Sequence, residues 1–324
     1  MPLALKDIPE LSPNLGALSF VKQLLDNIAK FRVESRKVRG ATVIDCGINV
    51  PAGWEAGLVF ANICLGGLAQ VSLHWADFAG LRWPAVEVIT DHPVRACMAS
   101  QYAGWFVKNG KYSAMGSGPA RAVVQNEELL SKLGYADSAE TAVLCLESGK
   151  LPDEETVDFI VEKCGCDPQK VYILVAPTAS AVGSLQIAAR SVETGLHKLM
   201  ELGYDIGRIK SGWGICPVPP VAGDDLTALG RTNDAILYGT TVHYNLEDAD
   251  DNLSSLIERL PSSSSKDYGI PFQELFSRYG NFYDIDSLLF SPAEVWLSNT
   301  KTGCSFHAGK IRSDLLEKSF KLQA

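Results

Sequence analysis

The chain has 324 residues, 46% of them hydrophobic, and a formal net charge of −9 at pH 7. A chain of this length and composition can bury a substantial core, which excludes a disordered or fibrous protein and favours two packed lobes. The negative charge repels phosphate backbones and anionic bilayer surfaces, so neither nucleic acid nor a membrane is expected as a partner.

The sequence indicates neither a membrane span nor a secretory signal. No stretch approaches the roughly 20 apolar residues of a membrane-spanning helix, and residues 1–14 lack a basic start followed by an apolar run. We therefore expect a soluble, cytoplasmic protein. Eight cysteines are scattered along the chain, as reduced core cysteines are, and no paired spacing of cysteines or histidines fits zinc. We expect neither disulfides nor a bound metal.

Helix-like and strand-like periodicities alternate along the first two thirds of the chain. Helices are predicted over residues 16–33, 54–65, 92–102, 119–133, 152–164 and 184–202. Strands are predicted over residues 42–48, 70–75, 85–90, 141–146 and 171–176. The last third is richer in β-structure, with strands predicted over 235–244 and 293–299, separated by a helix that begins with acidic residues.

The order of these elements predicts the fold class. Adjacent strands with interleaved helices favour an α/β fold of the α+β type, rather than a strictly doubly wound parallel sheet. We expect two mixed α+β domains, an N-terminal domain over residues 1–166 and a C-terminal domain over 167–324, with some segments crossing between them.

Two turns that precede predicted helices are candidates for ligand binding. Ser117 and Gly118 lie in a glycine-rich turn before the predicted helix 119–133, where backbone N–H groups at a helix start could hold an anion or a polar ring edge. The alternative is an ordinary tight turn. Thr178 and Ser180 follow the strand 171–176 and could bind a phosphate or carboxylate, unless one of them is a helix N-cap.

The predicted helix 184–202 places polar side chains along one line. At about 100° per residue, Gln186, Arg190, Glu193 and His197 fall within roughly 60° of arc, at the edge of the apolar face. Arg190 and Glu193 are three residues apart and can touch, which would orient an ionised carboxylate as a general base. A solvent-exposed helix salt bridge is the alternative.

Two polar segments in the last third are further candidates for recognition of a ring with many hydrogen-bonding groups. Arg231, Asn233 and Asp234 precede the predicted strand 235–244, and residues 261–269 form a polar turn. Solvated loops commonly have the same composition. The sequence contains no G-x-S-x-G, no phosphate-binding loop, no H-E-x-x-H and no G-x-G-x-x-G after a strand. His74, His243 and His307 are expected to be structural.

Read together, these segments resemble the methenyltetrahydromethanopterin cyclohydrolase family along nearly the whole chain. The resemblance rests on the order and spacing of residues 63–68, 100–105, 116–121, 176–178, 189–190 with Glu193, 196–198, 230–236, 267–269, 281–283 and 290–294. It implies a two-domain α/β subunit with a large active-site pocket between the domains, a homotrimer, and neither a metal nor a redox cofactor. It also implies that Glu193 is catalytic and that Arg190 stands beside it.

The sequence departs from the family at Ser191 and Thr194-Gly195, where relatives often carry bulkier apolar residues. A glycine inside a helix costs roughly 1 kcal/mol. We therefore expect Gly195 to weaken the helix locally while leaving Arg190 and Glu193 intact.

The implied reaction is the reversible hydrolysis of 5,10-methenyltetrahydromethanopterin to 5-formyltetrahydromethanopterin in one-carbon metabolism, either formaldehyde oxidation or methanogenesis. Glu193 would take a proton from the attacking water and return it to the departing nitrogen, assisted by Arg190. The tetrahydromethanopterin derivative is the expected substrate, bound by Ser117, Gly118, Thr178, Ser180, Gln186, His197, Arg231, Asn233 and Asp234.

Other functions stay open at this point. A pterin-dependent one-carbon transferase would need a second substrate, whereas the cyclohydrolase needs only water. A non-catalytic pterin-binding subunit is disfavoured because Arg190 and Glu193 are both present. A tetrahydrofolate-specific cyclohydrolase is also disfavoured. Those enzymes resemble dinucleotide-binding proteins, whose glycine fingerprint this chain lacks.

Overall fold

The computed structural model describes residues 8–280 and 284–322. The segment Asn281-Phe282-Tyr283, which contributes to the family resemblance, lies outside the described residues. Contacts divide the chain into two compact units. Of the described residues, the first unit contains those up to Ala69 together with Arg95–Gln186, and the second contains Gln70–Val94 and those from Ile187 onwards. These divisions fall elsewhere than the predicted domain boundary after residue 166, which stays a prediction.

Twelve strands lie in the described part of the chain. They are β1 (Glu34–Val38), β2 (Ala41–Asp45), β3 (Gln70–Phe78), β4 (Leu81–Thr90), β5 (Trp105–Asn109), β6 (Tyr112–Ser117), β7 (Ala142–Glu147), β8 (Val171–Ala176), β9 (Ile209–Pro217), β10 (Thr241–Leu246), β11 (Glu294–Asn299) and β12 (Ser305–Gly309). They form two mixed sheets, one in each unit, which confirms the predicted α/β fold.

The α-helices of the described residues connect these strands. They are α1 (Pro13–Asp26), α2 (Ile28–Phe31), α3 (Trp54–Cys64), α4 (Arg121–Val124), α5 (Glu128–Leu133), α6 (Glu154–Cys164), α7 (Ala181–Ala188), α8 (Ser191–Glu201), α9 (Asp225–Gly239), α10 (Asp250–Ile257), α11 (Phe272–Tyr279) and α12 (Ser313–Phe320). A π-helix covers Val94–Gln101. None of these described helices has both the length and the hydropathy that crossing a bilayer requires.

The sheet of the first unit has the strand order β1-β2-β8-β7-β6-β5. Strands β2, β8 and β7 are parallel neighbours, and the other pairs are antiparallel. The two faces of this sheet belong to different core clusters: Ile44 and Leu174 pack with apolar residues of α1, α3 and α7, while Val43 and Ile173 pack with those of α6. Because both faces are covered, its parallel strands are largely apolar runs.

The sheet of the second unit has the strand order β12-β11-β10-β9-β4-β3, and α8 and α9 pack against it at β9. Burial alternates along the middle of β9, where Gly212 and Gly214 are buried and Trp213 between them is 45% exposed. Trp213 Nε1 donates to Glu87 Oε1 at 2.7 Å on the exposed face. Helix α8 therefore lies on the glycine side of this strand, opposite the tryptophan.

The predicted helix over residues 184–202 is wrong in one respect, since the structure has two helices, α7 and α8. At the break, Arg190 N–H donates to Ile187 O at 3.0 Å, three residues back, and Arg190 has φ −86° and ψ 10°. Val182 of α7 belongs to the core on the first sheet, whereas Val192 of α8 packs on the second. Packing on two different sheets overrides the helical periodicity, which runs through both segments.

Two other predicted elements are wrong in part. Residues 241–244 of the predicted strand 235–244 do lie in β10, but the residues before them do not. Residues 235–239 belong to α9, whose Ala235–Tyr238 segment is buried on all sides and for that reason resembles a strand in its sequence. The predicted helix over 119–133 is divided into α4 and α5, because Gln125 ends α4 in the left-handed conformation at φ 56°. The antiparallel pair β5 and β6 was not predicted.

Candidate active site

Glu193 lies in the first turn of α8, and Arg190 is the residue that caps this helix. Arg190 Nη1 stands 3.4 Å from Glu193 Oε2, and the two side chains are only 12% and 5% exposed. The predicted contact between them is confirmed, and the alternative of a solvent-exposed salt bridge is wrong. Both the guanidinium and the positive end of the helix dipole favour negative charge at this position.

Three close contacts hold α8 against the second sheet. Ser191 and Val192 lie over Gly214 and Gly212, where the absence of side chains lets the helix approach the strand backbone. Tyr244 Oη donates to Val192 O at 2.6 Å, and a Cβ at Gly195 would overlap this hydroxyl. Gly195 was expected only to weaken the helix, but the structure gives it a packing role. These contacts fix the helix turn that carries Glu193, both before and after this residue in the sequence.

A second polar cluster lies in the first unit, where the parallel strands β7 and β8 end. Glu147 is the last residue of β7 and pairs in register with Ala176 of β8. Thr178 Oγ1 donates to Glu147 Oε1 at 2.5 Å, and Gln186 Nε2 of α7 donates to Glu147 Oε2 at 3.3 Å. The carboxyl ends of parallel strands commonly form binding sites in α/β sheets. The structure therefore brings two predicted residues together through a carboxylate.

Ser180 has the structural role that was the alternative at the sequence level. Its Oγ accepts Gly183 N–H at 2.9 Å, three residues on, and donates to Pro177 O at 2.7 Å. This is the geometry of a helix N-cap, at the start of α7.

The glycine turn around Ser117 and Gly118 is already hydrogen-bonded within the first unit. Gly118 N–H donates to Ser100 O and Ala120 N–H donates to Val143 O, each at 2.9 Å. Ser117 Oγ lies 3.6 Å from Cys64 Sγ and is almost buried. The expectation that this turn offers free N–H groups is therefore wrong for Gly118 and Ala120, because their partners are backbone carbonyls.

Arg231, Asn233 and Asp234 lie inside α9, not in a turn before a strand as predicted, because the buried run after them continues the helix. Arg231 donates to the carbonyl oxygens of residues 220, 221 and 319, and Asn233 donates to that of residue 229. Asp234 accepts Phe272 N–H at 2.8 Å and Ser319 Oγ–H at 2.5 Å. Burial raises the pKa of Asp234 to about 7.

Arg231 and Asp234 also line a pocket of about 170 Å³ in the second unit, together with Lys318. His197 faces the next turn of α8, with its Nε2 3.8 Å from Glu201 Oε1. The predicted residues of the second unit therefore form two groups. Arg190, Glu193 and His197 are on α8, and Arg231, Asn233 and Asp234 are on α9.

Comparison with known proteins identifies the family. The model of the cyclohydrolase (MCH) family matches residues 12–320. The chain belongs to this cyclohydrolase family. It is 44% identical over 317 residues to the methenyltetrahydromethanopterin cyclohydrolase of Methanococcoides burtonii, covering 97% of this chain and 99% of that protein. It is 45% identical over 316 residues to the enzyme of the same name from Methanocaldococcus jannaschii, covering 95% and 98%.

The eight cysteines of the cyclohydrolase are reduced thiols outside any disulfide, and six of them are buried. Their scattered positions in the sequence predicted this distribution. Within residues 8–280 and 284–322, no group of three or more histidine, cysteine, aspartate or glutamate side chains is arranged to hold a metal ion.

Sequence reasoning missed Glu147 and Tyr244. A charged residue that ends an apolar strand next to a parallel partner is a usable signal for Glu147. Tyr244 gave no comparable signal, because its role depends on the approach of α8 to β10. In this cyclohydrolase, Glu147 thus joins Thr178 and Gln186, and Tyr244 holds the helix that carries Glu193.

Proposed function

We propose that this cyclohydrolase hydrolyses methenyltetrahydromethanopterin to its formyl derivative, as the names of its relatives indicate for those proteins. The observation that carries the proposal is the nearly buried pair of Glu193 and Arg190 at the start of α8. A carboxylate held beside a cation and a helix N-terminus can act as a general base on water. The same negative charge favours a cationic substrate.

The bridging carbon of the substrate is bonded to two nitrogens that share a positive charge, so it is electrophilic without further activation. A water oxygen attacks this carbon while one water proton passes to Glu193, which leaves a neutral tetrahedral adduct. The bond from this carbon to one nitrogen then breaks, and that nitrogen receives the proton from Glu193. The hydroxyl proton of the adduct is released as the formyl group forms, so one proton is liberated overall.

Arg190 acts on Glu193 through charge and orientation. Its Nη1 lies 3.4 Å from one carboxylate oxygen, which leaves the other oxygen of Glu193 to accept a water proton. Ser191, Val192 and Gly195 pack closely against the second sheet, and this packing fixes the direction of the helix turn that carries Glu193. Preorganisation of this kind lowers the cost of orienting the base at the moment of reaction.

The remaining predicted residues are proposed to bind the substrate, and the structure supports some of these roles more strongly than others. Thr178 and Gln186 meet at one carboxylate, which favours them most. His197 is part-exposed on the same helix as Glu193. Ser117, Gly118, Ser180, Arg231, Asn233 and Asp234 already have partners within the protein, so a direct contact with substrate would have to exchange or share those partners.

The decisive experiment replaces Glu193 by glutamine and follows the loss of the near-ultraviolet absorbance of the methenyl cation. We expect kcat to fall by about 10³-fold, within the range for loss of a general base, while the fold is retained. Glu201→Gln is the matched control, since Glu201 is an exposed residue of the same helix. Near-normal turnover by Glu193→Gln would refute the mechanism, and absence of turnover by the native protein would refute the proposed reaction.

We further propose that the enzyme works as a cytoplasmic homotrimer in one-carbon metabolism. The full-length similarity to the relatives supports this proposal. Native mass spectrometry tests the assembly: a mass near three times the 35.0 kDa of one chain is expected. A monomeric or dimeric mass at working concentration would contradict it.

A further inference from the structure

Glu147 ends β7 beside the parallel strand β8 in the first unit. In the described part of the chain it forms no salt bridge, and its two oxygens accept hydrogen bonds from the neutral groups of Thr178 and Gln186. The side chain is neither fully buried nor fully exposed. Each carboxylate oxygen has a second lone pair, so Glu147 can still accept hydrogen bonds from a bound molecule.

Gln186 provides an independent observation at the same place. The residue is only 3% exposed, and its Oε1 is buried without a hydrogen-bond partner. A carboxylate accepts hydrogen bonds only, so the amide nitrogen must face Glu147, and Oε1 is left as a free acceptor beside it. A buried amide oxygen without a partner is costly, and a ligand that donates an N–H group would remove this cost.

These groups specify the chemistry of the ligand. Two carboxylate oxygens and one amide oxygen require a neutral or cationic group with several adjacent N–H donors, and a carboxylate or phosphate would be repelled. The 2-amino-4-oxopyrimidine edge of a pterin presents a ring N–H beside an exocyclic amino group. Two parallel N–H donors of this kind match a carboxylate in the bidentate manner.

We propose that Glu147 is a specificity-determining residue that binds the aminopyrimidine edge of the pterin ring, with Gln186 as a second acceptor. This inference rests on the proposed function, since it assumes a pterin substrate. It assigns recognition of the ring to the end of β7, and Thr178 fixes the carboxylate by donating to it.

The test compares 6-methylpterin with 6-methyllumazine, in which an oxo group replaces the exocyclic amino group. Binding of each compound is measured by fluorescence titration against the wild-type chain and Glu147→Gln. We expect the wild type to prefer the pterin by about 10- to 100-fold, the range for loss of a hydrogen bond to a charged group. Glutamine can donate to the oxo group, so Glu147→Gln should bind the two compounds almost equally or prefer the lumazine.

Turnover gives a second readout for the same variant. Glu147→Gln should raise KM for methenyltetrahydromethanopterin by about 10-fold or more with kcat nearly retained, because the contact is present in both ground and transition states. Glu162→Gln, an exposed change in the same unit, is the control. Gln186→Leu keeps the carboxylate and should weaken pterin binding by a smaller factor of about 5 to 10, which keeps the test valid should Glu147→Gln fail to fold.

The outcomes separate the two proposals. Failure of the native protein to convert the methenyl substrate would remove the proposed function, yet a pterin preference lost in Glu147→Gln would still support the binding role. An unchanged ratio of pterin to lumazine affinity in Glu147→Gln, or no pterin binding by the wild type, would overturn the inference.

Discussion

The start of α8 and the end of β7 each present one carboxylate, in different surroundings. Glu193 has a cation 3.4 Å away and lies in the first turn of a helix. Among the residues that the structure describes, the hydrogen-bond donors to Glu147 are the neutral groups of Thr178 and Gln186. A carboxylate paired with a cation and oriented by it is suited to proton transfer, whereas one that keeps lone pairs free is suited to recognition of N–H groups. The partners therefore support the proposed roles, proton transfer for Glu193 and substrate recognition for Glu147.

The largest expected effect comes from breaking the charged pair. Replacing Arg190 by glutamine leaves Glu193 nearly buried without its cation, so kcat/KM should fall by about 10²- to 10³-fold. Steady-state kinetics with the methenyl substrate measure this loss. Replacing Thr178 by valine, which removes a donor from Glu147, is the counterpart and should change KM more than kcat. Equal effects of both changes on kcat would remove the distinction between the two carboxylates.

A third carboxylate sharpens the comparison, because Asp234 is buried with neutral hydrogen-bond donors and, within residues 8–280 and 284–322, forms no salt bridge. Burial raises its pKa from the ordinary value of 3.8 to about 7. The folded chain thus binds a proton that the unfolded chain has lost, and stability should fall as pH rises from about 4 to about 7. Since one pKa unit is 1.36 kcal/mol, this loss is at most roughly 4 kcal/mol.

Asp234→Asn should remove this pH dependence, because an asparagine does not ionise: its Oδ1 can still accept Phe272 N–H, and its Nδ2 can donate to Ser319 Oγ. Urea unfolding at pH 5 and at pH 8 checks the expectation. The stability difference between wild type and variant should move in favour of the variant at the higher pH. A difference that stays constant between the two pH values would show that Asp234 does not titrate in this window.

The smallest expected effect concerns the support of Glu193. Gly195→Ala places a methyl group against Tyr244 Oη and should lower the free energy of unfolding by about 1–3 kcal/mol, as overpacking does. Thermal unfolding measures this change. Adding Tyr244→Phe removes the hydroxyl and should recover part of the loss. If the double variant is as unstable as the sum of the single ones, the contact is not the cause.

Much of the fold could be predicted from periodicity. The helices α3 and α6 and the strands β7 and β8 lie within a few residues of their predicted bounds, because their apolar patterns match a single packing face or a buried run. The hairpin of β5 and β6 could have been predicted from Gly110, because a glycine at the first central position of a two-residue loop favours a tight turn. The end of α9 could not have been predicted as a helix, because an apolar run that is buried on all sides fits either a helix or a strand.

The candidate site was predictable only where its contacts are local. The three-residue spacing of Arg190 and Glu193 survives the break before α8, because the pair belongs to the cap and first turn of one helix. The contact of Gln186 with Glu147 joins residues 39 apart in sequence, and that of Tyr244 with Val192 joins residues 52 apart. Contacts of this kind follow from strand order, which composition and periodicity do not determine.

The packing of α8 on Gly212 and Gly214 has a consequence for the tryptophan fluorescence of the protein. Trp213 stands between Gly212 and Gly214 on the opposite face of β9, and its indole donates to Glu87. Any displacement of α8 that shifts this strand must also shift the indole, whose emission depends on its hydrogen bond and on its exposure. The cyclohydrolase therefore carries an intrinsic fluorophore on the reverse side of the strand that supports Glu193, and the difference spectrum against Trp213→Phe isolates its signal.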